Sequence, residues 1–376
     1  MKINLVVFSL FYLHCLFFPC CLLGSCPPDS VHGEQLSFID GIYSLPFNER
    51  LEERKQNLQK YSFEHNVNSI DRRSGLSQDE FNQVYDGKWP VILTDVITKW
   101  PAFNWTKEFL QTNYGHAKVT VKISKGSESF GSVEQLQHMI PLLSSSELKQ
   151  WFYIEDELFL NLHPTLLKDI GSTPLLTEDF FSLFPEEIRP WNSMLLWGGA
   201  HSRSPLHIDP YNWTGTNAVL KGTKKWKLFP PGQDDLLYVI PEQRCGFPLE
   251  CRKYNSKVDA FTPNLLNYPM FQMAKSIDFE QKSGELLIIP TGWYHQAYNS
   301  EETLAISSQI MNSMNYLAIM EEIIKVGNLQ KHTLPDNFGR LSIKEQVRSL
   351  IKSLPYQILL QGRRVVDTYQ RTREEL

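Results

Sequence analysis

The chain has 376 residues, of which 42% are hydrophobic, 12% aromatic and 21% charged, and this is the profile of a folded protein rather than a disordered one. The length suffices for one large domain with extensions or for two modest domains. The formal net charge of −5 provides no basic field for a phosphate backbone, which argues against nucleic acid as a partner.

Residues 1–24 differ in composition from the rest of the chain. Lys2 precedes an apolar run over residues 3–23, and the small residues Gly24 and Ser25 follow. A cationic start, an apolar middle and small residues near a cleavage point are typical of a secretory signal peptide, so we expect this segment to be removed and to leave no stable membrane span. Two alternatives stay open. The run approaches the ~20 residues that cross a bilayer as a signal anchor, and residues 23–26 also resemble a bacterial lipoprotein box.

The last four residues, Arg373-Glu374-Glu375-Leu376, are similar to the Lys-Asp-Glu-Leu type of retrieval signal. The alternative interpretation is a solvated helical tail that ends in charged residues by chance. The leader and the tail together predict residence in the lumen of the endoplasmic reticulum.

An oxidising lumen would permit two covalent modifications of the chain. Cys245 and Cys251 lie close together in a loop-like stretch and are candidates for a disulfide. Acceptor sequons for N-glycosylation begin at Asn104 and at Asn212. These patterns predict a glycoprotein.

The part of the chain before residue 191 is predicted to contain a lead-in and a mixed α/β segment. Residues 25–78 are polar and irregular, with one helical stretch around Asn48–Tyr61, and residues 79–190 alternate helix and strand. The predicted helices are 79–87, Thr106–Tyr114, Ser132–Met139 and Thr177–Phe184, the last capped by Thr177. The predicted strands are Pro90–Thr94, Lys118–Ile123 and Trp151–Glu157.

Residues 191–312 contain many short apolar or alternating runs separated by Pro, Gly, Asn and Asp. Such spacing is typical of an all-β sandwich or barrel, and we predict a double-stranded β-helix, or jelly roll, as the core of a mainly β fold with flanking helices. Residues 313–376 return to helical periodicity, with helices after Asn315 and from Ser342 to Leu354. These helices are expected to cap the barrel or to pair two copies into a homodimer.

A candidate metal site stands out within the β region. His207 and Asp209 are two residues apart, so on a strand they project to the same face. His295 follows 86 residues later in the segment Pro290–His295. Two imidazoles and one carboxylate on one face of a metal leave positions open for other ligands, which is the arrangement of non-haem Fe(II) oxygenases.

The sequence around these residues resembles that of the Jumonji-C (JmjC) oxygenases. The resemblance lies in the segments SPLHIDPYNWTGTNAVLKGTKKWKLFPPG and KSGELLIIPTGWYHQAYN. The similarity is strongest to the small hydroxylase branch, which includes the asparaginyl hydroxylase of hypoxia-inducible factor and a lysyl hydroxylase once called a phosphatidylserine receptor. It runs from about Tyr85 to Met311. The resemblance implies that His207, Asp209 and His295 bind Fe(II), with 2-oxoglutarate and O2 as co-substrates.

The same resemblance implies roles for the residues of a co-substrate pocket. Lys224 matches the lysine that pairs with the far carboxylate of 2-oxoglutarate, a suitable task for a compact charge on a long stem. The other matching positions are Asn217, Ser204, Tyr153 and Ser307. Relatives often have Thr at the two serine positions. The aromatic residues Trp226 and Trp293 are interpreted as core residues.

The implied activity is a protein side-chain hydroxylase, with a protein or peptide as its substrate. Demethylation of histone lysine is disfavoured, because it needs nuclear access. Two alternatives remain, namely a catalytically silent scaffold with the same fold and a cupin-like protein that holds zinc at the same three side chains.

Overall fold

The alternating runs between residues 191 and 312 form strands of two antiparallel sheets, as the sequence predicts. The structure is a computed structural model, and it describes residues 69–125, 128–145, 150–243, 249, 252–326, 329 and 334–375. The leader-like segment, the predicted helix Asn48–Tyr61 and the cysteines Cys245 and Cys251 lie outside these residues. Among the helices described, none has the length and apolar character needed to span a bilayer.

The described strands lie between Asp71 and Ile310. They are β1 (Asp71–Arg73), β2 (Val91–Leu93), β3 (Lys118–Lys125), β4 (Glu128–Gln135), β5 (Gln150–Asp156), β6 (Met194–Gly198), β7 (His207–Ile208), β8 (Thr214–Lys221), β9 (Thr223–Phe229), β10 (Val239–Gln243), β11 (Arg252–Ser256), β12 (Ile277–Lys282), β13 (Leu286–Ile289), β14 (Tyr294–Asn299) and β15 (Thr303–Ile310).

The described strands divide between a nine-stranded and a six-stranded sheet. The larger sheet has the order β1-β2-β13-β8-β15-β6-β5-β3-β4, and the smaller has the order β10-β11-β7-β14-β9-β12. Only β1 and β2 pair in parallel among them. The two sheets form the jelly-roll core, and we call the space between their inner faces the cavity.

The helices flank this core. They are α1 (Gln78–Glu80), α2 (Lys107–Tyr114), α3 (Leu136–Leu143), α4 (Phe159–Leu162), α5 (Pro164–Lys168), α6 (Tyr316–Val326), α7 (Ile343–Ser353) and α8 (Tyr356–Glu375). A π-helical turn spans Phe81–Tyr85, and 3-10 turns span Ile97–Lys99, Pro101–Asn104, Phe180–Leu183, Pro210–Asn212, Pro269–Met273 and Phe338–Arg340.

Gly222 lies at the corner where the chain leaves one sheet for the other. It separates β8 of the larger sheet from β9 of the smaller one, and its φ is +83°. A Cβ there would lie 2.3 Å from the carbonyl oxygen of Glu302, so both the backbone conformation and the space require glycine. This corner brings the inner residues of β8 and β9 to opposite walls of one cavity.

Two apolar clusters hold the flanking helices to the core. The larger one packs the elements before residue 177 against β8, β9, β13 and β15. The second packs α6 and α7 against the 3-10 turn Phe180–Leu183 and against Tyr211 and Trp213, which follow Asp209 in the chain. The C-terminal helices therefore support a segment next to the candidate metal site.

Most predicted elements are confirmed, with two corrections. Residues 132–135, predicted to begin a helix, end strand β4 instead, because they pair with β3 in the register Ser132 to Val121, and the helix α3 begins only at Leu136. The predicted helix Thr177–Phe184 is a short 3-10 turn whose cap is Asp179, because the carboxylate of Asp179 accepts from the amide of Phe181. The segment boundaries and the homodimer stay predictions.

Candidate metal centre

The two histidines of the predicted triad lie on neighbouring strands of the smaller sheet. His207 begins the two-residue strand β7, and His295 lies on β14, directly opposite His207 in the antiparallel register. Side chains of directly opposed residues project to the same face of a sheet. The ring centroids of the two imidazoles are 4.4 Å apart. The sheet therefore presents both imidazoles together on its inner face.

Asp209 completes the triad from the turn after β7. Its Oδ1 lies 3.6 Å from Nε2 of His207 and 3.5 Å from Nε2 of His295, and one candidate ligand atom from each residue falls within 4.8 Å of the others. Donors about 2.1 Å from one metal ion are about 3.0–3.4 Å from each other at ordinary coordination angles. The arrangement fits a single divalent ion.

Backbone carbonyls fix the orientation of both rings in the same way. Nδ1 of His207 is 2.8 Å from the carbonyl oxygen of Pro205, and Nδ1 of His295 is 3.2 Å from that of Trp293. In each case the acceptor is two residues earlier in the chain. A proton held on Nδ1 leaves the lone pair of Nε2 available for an ion placed between the ring and Asp209, as metal ligation requires.

The three side chains also influence each other's charge. Burial lowers the pKa of His207, but the hydrogen bond and charge of Asp209 outweigh that effect and raise it above the ordinary value. Burial acts to raise the pKa of Asp209, but the two histidines hold it well below its usual range. Asp209 is therefore a carboxylate at neutral pH, which is the form that binds metal ions.

A glycine provides the space for the Asp209 carboxylate. Gly215 lies near the start of β8, and a Cβ at this position would be 2.3 Å from Oδ2 of Asp209. Any other residue would displace that carboxylate. Gly215 therefore positions a ligand without contacting the metal, and no sequence pattern distinguished it from the other glycines of the region.

The turn that carries Asp209 is held by unusual backbone conformations. Tyr211 and Asn212 both have positive φ, at 55° and 59°, a region that non-glycine residues rarely adopt and that carries strain. The Tyr211 hydroxyl donates to the carbonyl oxygen of Leu249, and Oδ1 of Asn212 accepts from the amide of Gly292. The first bond connects the turn to the segment between β10 and β11, and the second connects it to the segment before His295.

The site is accessible from one side. The side chains of His207 and Asp209 keep 22% and 20% of their surface exposed, whereas His295 keeps 6%. An ion held here would be buried on the side of His295 and open on the side of His207 and Asp209. This allows a co-substrate and a substrate to approach.

Lys224 lies at the inner end of the same cavity and is fully buried, with 1% exposure. Its Nζ donates to the hydroxyl of Tyr153 at a distance of 3.4 Å, and it lies 5.8 Å from the ring centroids of Tyr153 and Trp226. Burial lowers the pKa of Lys224 to about 7, although the charge of Glu155 acts against this shift. A buried ammonium group with so little negative charge around it would be stabilised by an anionic ligand.

The remaining predicted pocket residues fall into two groups. Asn217 is buried, and its Oδ1 has no hydrogen-bond partner within the described residues. Ser307 is directly opposite it on β15 and donates to the carbonyl oxygen of Thr216. The hydroxyl of Ser204 accepts from the amide of Ala297 and so holds the segment before β7 to β14. The role of these residues towards a co-substrate stays a prediction.

The two tryptophans are buried in the core. Trp293 donates to the carbonyl oxygen of Lys88 and packs edge-on against Trp89. Trp226 donates to Gln281 and lies 6.0 Å from the ring of His295. Trp226 therefore also forms a wall of the cavity.

One acidic residue on the inner face of β5, Glu155, was not predicted. It follows Tyr153 by two residues, and its charge acts to raise the pKa of both Lys224 and His207. The alternation of the segment Trp151–Glu157 was recognised as a strand. Once Tyr153 was placed in the pocket, the same period of two would have placed Glu155 on the same face.

Comparisons with known proteins agree with this geometry. A family model described as a cupin-like domain matches residues 77–316. The chain is 31% identical over 285 residues to the lysine-specific demethylase JMJ21 of Arabidopsis thaliana, covering 74% of this chain and 29% of that protein. It is 25% identical over 265 residues to the bifunctional arginine demethylase and lysyl-hydroxylase psr-1 of Caenorhabditis elegans, covering 68% and 65%.

A third relative is the 2-oxoglutarate and iron-dependent oxygenase JMJD4 of Gallus gallus. The identity is 30% over 159 residues, covering 41% of this chain and 34% of that protein. The chain thus spans less than two thirds of the length of each of these relatives.

The substitution Gly215→Ala is expected to weaken metal binding by about tenfold or more, the usual effect of disturbing a residue that orients a ligand. The measurement is titration of the purified protein with Mn²⁺ under anaerobic conditions. Gly115→Ala is the control, because its Cβ would lie 2.4 Å from the carbonyl oxygen of Gln111, away from the site. That variant is expected to lose thermal stability and to keep its metal affinity. Unchanged affinity in Gly215→Ala would show that Asp209 does not need this space.

Proposed function

The chain belongs to the cupin-like family of JmjC oxygenases, and from this membership we propose that it is an Fe(II)- and 2-oxoglutarate-dependent hydroxylase of protein side chains in the endoplasmic reticulum lumen. Dependence on iron and 2-oxoglutarate is general for the family. The observation that carries the proposal is the convergence of His207, Asp209 and His295 on one point beside a cavity that ends at Lys224.

The residues present fit the iron and the co-substrate. His207 and His295 would bind Fe(II) through Nε2 and Asp209 through a carboxylate oxygen, while Lys224 and Tyr153 would bind the far carboxylate of 2-oxoglutarate. When bound, iron with 2-oxoglutarate and O2 supplies the oxidation of a C–H bond, coupled to decarboxylation of the oxo acid.

The protein's own contribution is position and the exclusion of water. The carbonyls behind each imidazole hold the ligands in one orientation before any ion arrives. Buried Trp226 and the small apolar cluster of Tyr153, Leu196, Val219 and Ala305 line the inner part of the cavity. Ordered donors beside apolar walls favour a reaction whose oxidant must be kept from water.

Hydroxylation is preferred to demethylation on the basis of the expected compartment. The named relatives include enzymes of both kinds, so the family alone does not choose between them. The leader-like segment and the terminal tetrapeptide support a lumenal location, where histones are absent.

The substitutions His207→Ala and Asp209→Ala are expected to abolish succinate formation from 2-oxoglutarate, because each removes one of three iron ligands. The measurement combines succinate release with a mass-spectrometric search for a gain of one oxygen in lumenal proteins. Circular dichroism of both variants serves as the control for folding. A wild-type protein that binds Fe(II) and 2-oxoglutarate but releases no succinate with any lumenal extract would instead favour the silent scaffold.

The affinity for 2-oxoglutarate is expected to fall as the pH rises above 7. Only the ammonium form of Lys224 attracts the carboxylate, and its pKa before binding is about 7. Each further pH unit should therefore weaken binding by up to about tenfold, with uptake of one proton. The measurement is calorimetric titration of Mn²⁺-loaded protein between pH 7 and 9 in two buffers of different ionisation enthalpy.

Two variants isolate the contribution of Lys224 to this pH dependence. Lys224→Arg keeps its charge over the whole range and should lose the dependence. Lys225→Ala is the matched control and should retain it, because Lys225 points outward towards Glu280. A flat profile in the wild type would show that Lys224 stays charged without a ligand.

The two sequons are expected to behave differently if the protein enters the lumen. Asn104 and Thr106 are exposed, whereas Thr214 keeps 1% exposure and Asn212 is hydrogen-bonded beside the metal site. Expression in secretory cells should therefore give a glycan that endoglycosidase H removes and that Asn104→Gln abolishes. Asn212→Gln should leave the glycan in place.

Retention is tested in the same cells. Removal of the last four residues should send the glycosylated protein into the medium, if the tetrapeptide is the retrieval signal. A wild-type protein without any glycan would contradict the lumenal location.

A further inference from the structure

A row of directly opposed residues crosses the smaller sheet through the candidate metal centre. It runs over β9, β14, β7, β11 and β10, and its members are Leu228, His295, His207, Asn255 and Ile240. Directly opposed side chains lie side by side on one face of a sheet. The face that carries the two imidazoles therefore continues into one residue of β11 and one of β10.

The chain neighbours of the row establish which face it occupies. Each member has a neighbour in the same apolar cluster, and these neighbours are Phe229, Tyr294, Ile208, Tyr254 and Val239. Successive side chains of a strand alternate between its two faces, so this cluster lies on the outer face of the sheet. Asn255 and Ile240 therefore face inward, as His207 and His295 do.

Exposure increases along the row from one end to the other. Leu228 is 0% exposed and His295 is 5% exposed. His207 and Asn255 are half-buried, and Ile240 keeps 40% of its surface exposed. Among the residues that the structure describes, the row is closed behind His295 and open towards Ile240. A substrate that reaches the metal along this face would therefore pass over Ile240 and Asn255.

Asn255 presents an amide next to the metal centre. The side chain of this residue makes no hydrogen bond to another described residue, and asparagine is uncommon within strands. An asparagine amide supplies both hydrogen-bond donors and an acceptor, and each peptide group of a polypeptide has one donor and one acceptor to satisfy. Asn255 therefore matches the main chain of a bound polypeptide.

Ile240 presents an apolar surface one strand further along. It lies on β10, which is at the end of the described order of the smaller sheet. Neighbouring strands are about 4.8 Å apart, so two strand spacings place Ile240 about 10 Å from His207 across the sheet. An extended chain advances about 3.3 Å per residue. The span therefore corresponds to about three residues of an extended polypeptide.

Resting on the proposed function, we propose that the substrate is an extended polypeptide segment that crosses the sheet over this row. Asn255 binds its main chain, and Ile240 contacts an apolar side chain about three residues from the oxidised residue. This recognition concerns the flanking sequence and leaves the oxidised residue itself open. The substrate class is thus defined as segments with an apolar residue at that distance on one side.

The first test measures binding without turnover. The probes are acetylated nonapeptide amides of glycine and serine with a mixture of amino acids at the centre. Leucine or asparagine, which have similar shapes and different polarity, stands at the third position before or after the centre. The probes are added to Mn²⁺-loaded protein with 2-oxoglutarate and without O2. Paramagnetic relaxation of the leucine or asparagine side-chain protons reports the affinity and the distance from the metal.

We expect the leucine probe to bind about tenfold more tightly than the asparagine probe on one side of the centre, as for partial burial of one leucine side chain. Ile240→Asp should remove this preference. Leu266→Asp is the matched control and should retain it, because Leu266 is an apolar residue of the described surface with 95% exposure. Equal binding of the two probes, or a preference that survives in Ile240→Asp, would overturn the apolar contact.

The substitution Asn255→Ala tests the main-chain contact. It should weaken the leucine and asparagine probes alike by about fivefold, the usual effect of a neutral hydrogen bond, and leave their ratio unchanged. Mn²⁺ titration and circular dichroism of every variant verify that the metal site and the fold are intact. Unchanged affinities in Asn255→Ala would overturn this contact.

The second test separates this inference from the proposed function. Lumenal proteins are incubated with enzyme, Fe(II) and 2-oxoglutarate, and the oxygenated residues are located by mass spectrometry. Apolar residues enriched at the third position on one side, with the enrichment lost in Ile240→Asp, support both. Oxygenated sites without such enrichment, unchanged in Ile240→Asp, overturn the flanking contact and leave the hydroxylase intact. The absence of both product and succinate overturns the hydroxylase, whereas the peptide probes still decide whether the row binds a polypeptide.

Discussion

The pairing of a two-residue strand with its neighbour determines whether this protein has a metal site. β7 consists of His207 and Ile208 alone, and its contact with β14 places His207 opposite His295. A shift by one residue would direct one imidazole to the other face of the sheet. Contacts on both sides of the strand hold this register. The hydroxyl of Ser204 accepts a hydrogen bond from the amide of Ala297, and Oδ1 of Asn212 accepts one from the amide of Gly292. Strand β11 pairs with the other edge of β7. The position of this short strand therefore depends on the segments on either side of it.

The cavity beyond His207 and His295 is defined by the charges of its side chains as well as by its shape. A buried lysine lies at the inner end, and a carboxylate suited to metal binding lies at the outer end. Each of these groups is costly in isolation. A metal ion beside the carboxylate and an anion beside the lysine would compensate these charges, which would favour ligands of the correct charge.

How much of this could be predicted from the sequence depended on the kind of constraint involved. The triad and the strand pattern were accessible, because ligand type, spacing and a period of two are local properties that the sequence displays. The role of Lys224 was implied only by the resemblance to the JmjC oxygenases. The helix predicted at Ser132–Met139 failed over residues 132–135, since pairing with β3 overrides local propensity there. The capping role of Asp179 rather than Thr177 also depended on a tertiary contact, with Met311. Gly215 could not be singled out, because its importance arises from the position of a side chain six residues earlier.

Gly215 also limits how this site can be redesigned. A redesign that aims to bind a different metal would normally begin with the residues around the carboxylate, because small changes in the position of its oxygen atoms alter which metal is preferred. Here the adjoining wall has no room even for one methyl group without moving that carboxylate. Engineering of the centre is therefore better directed to the histidine side, where the backbone carbonyls of Pro205 and Trp293 set the ring orientation and can be shifted through their own loops.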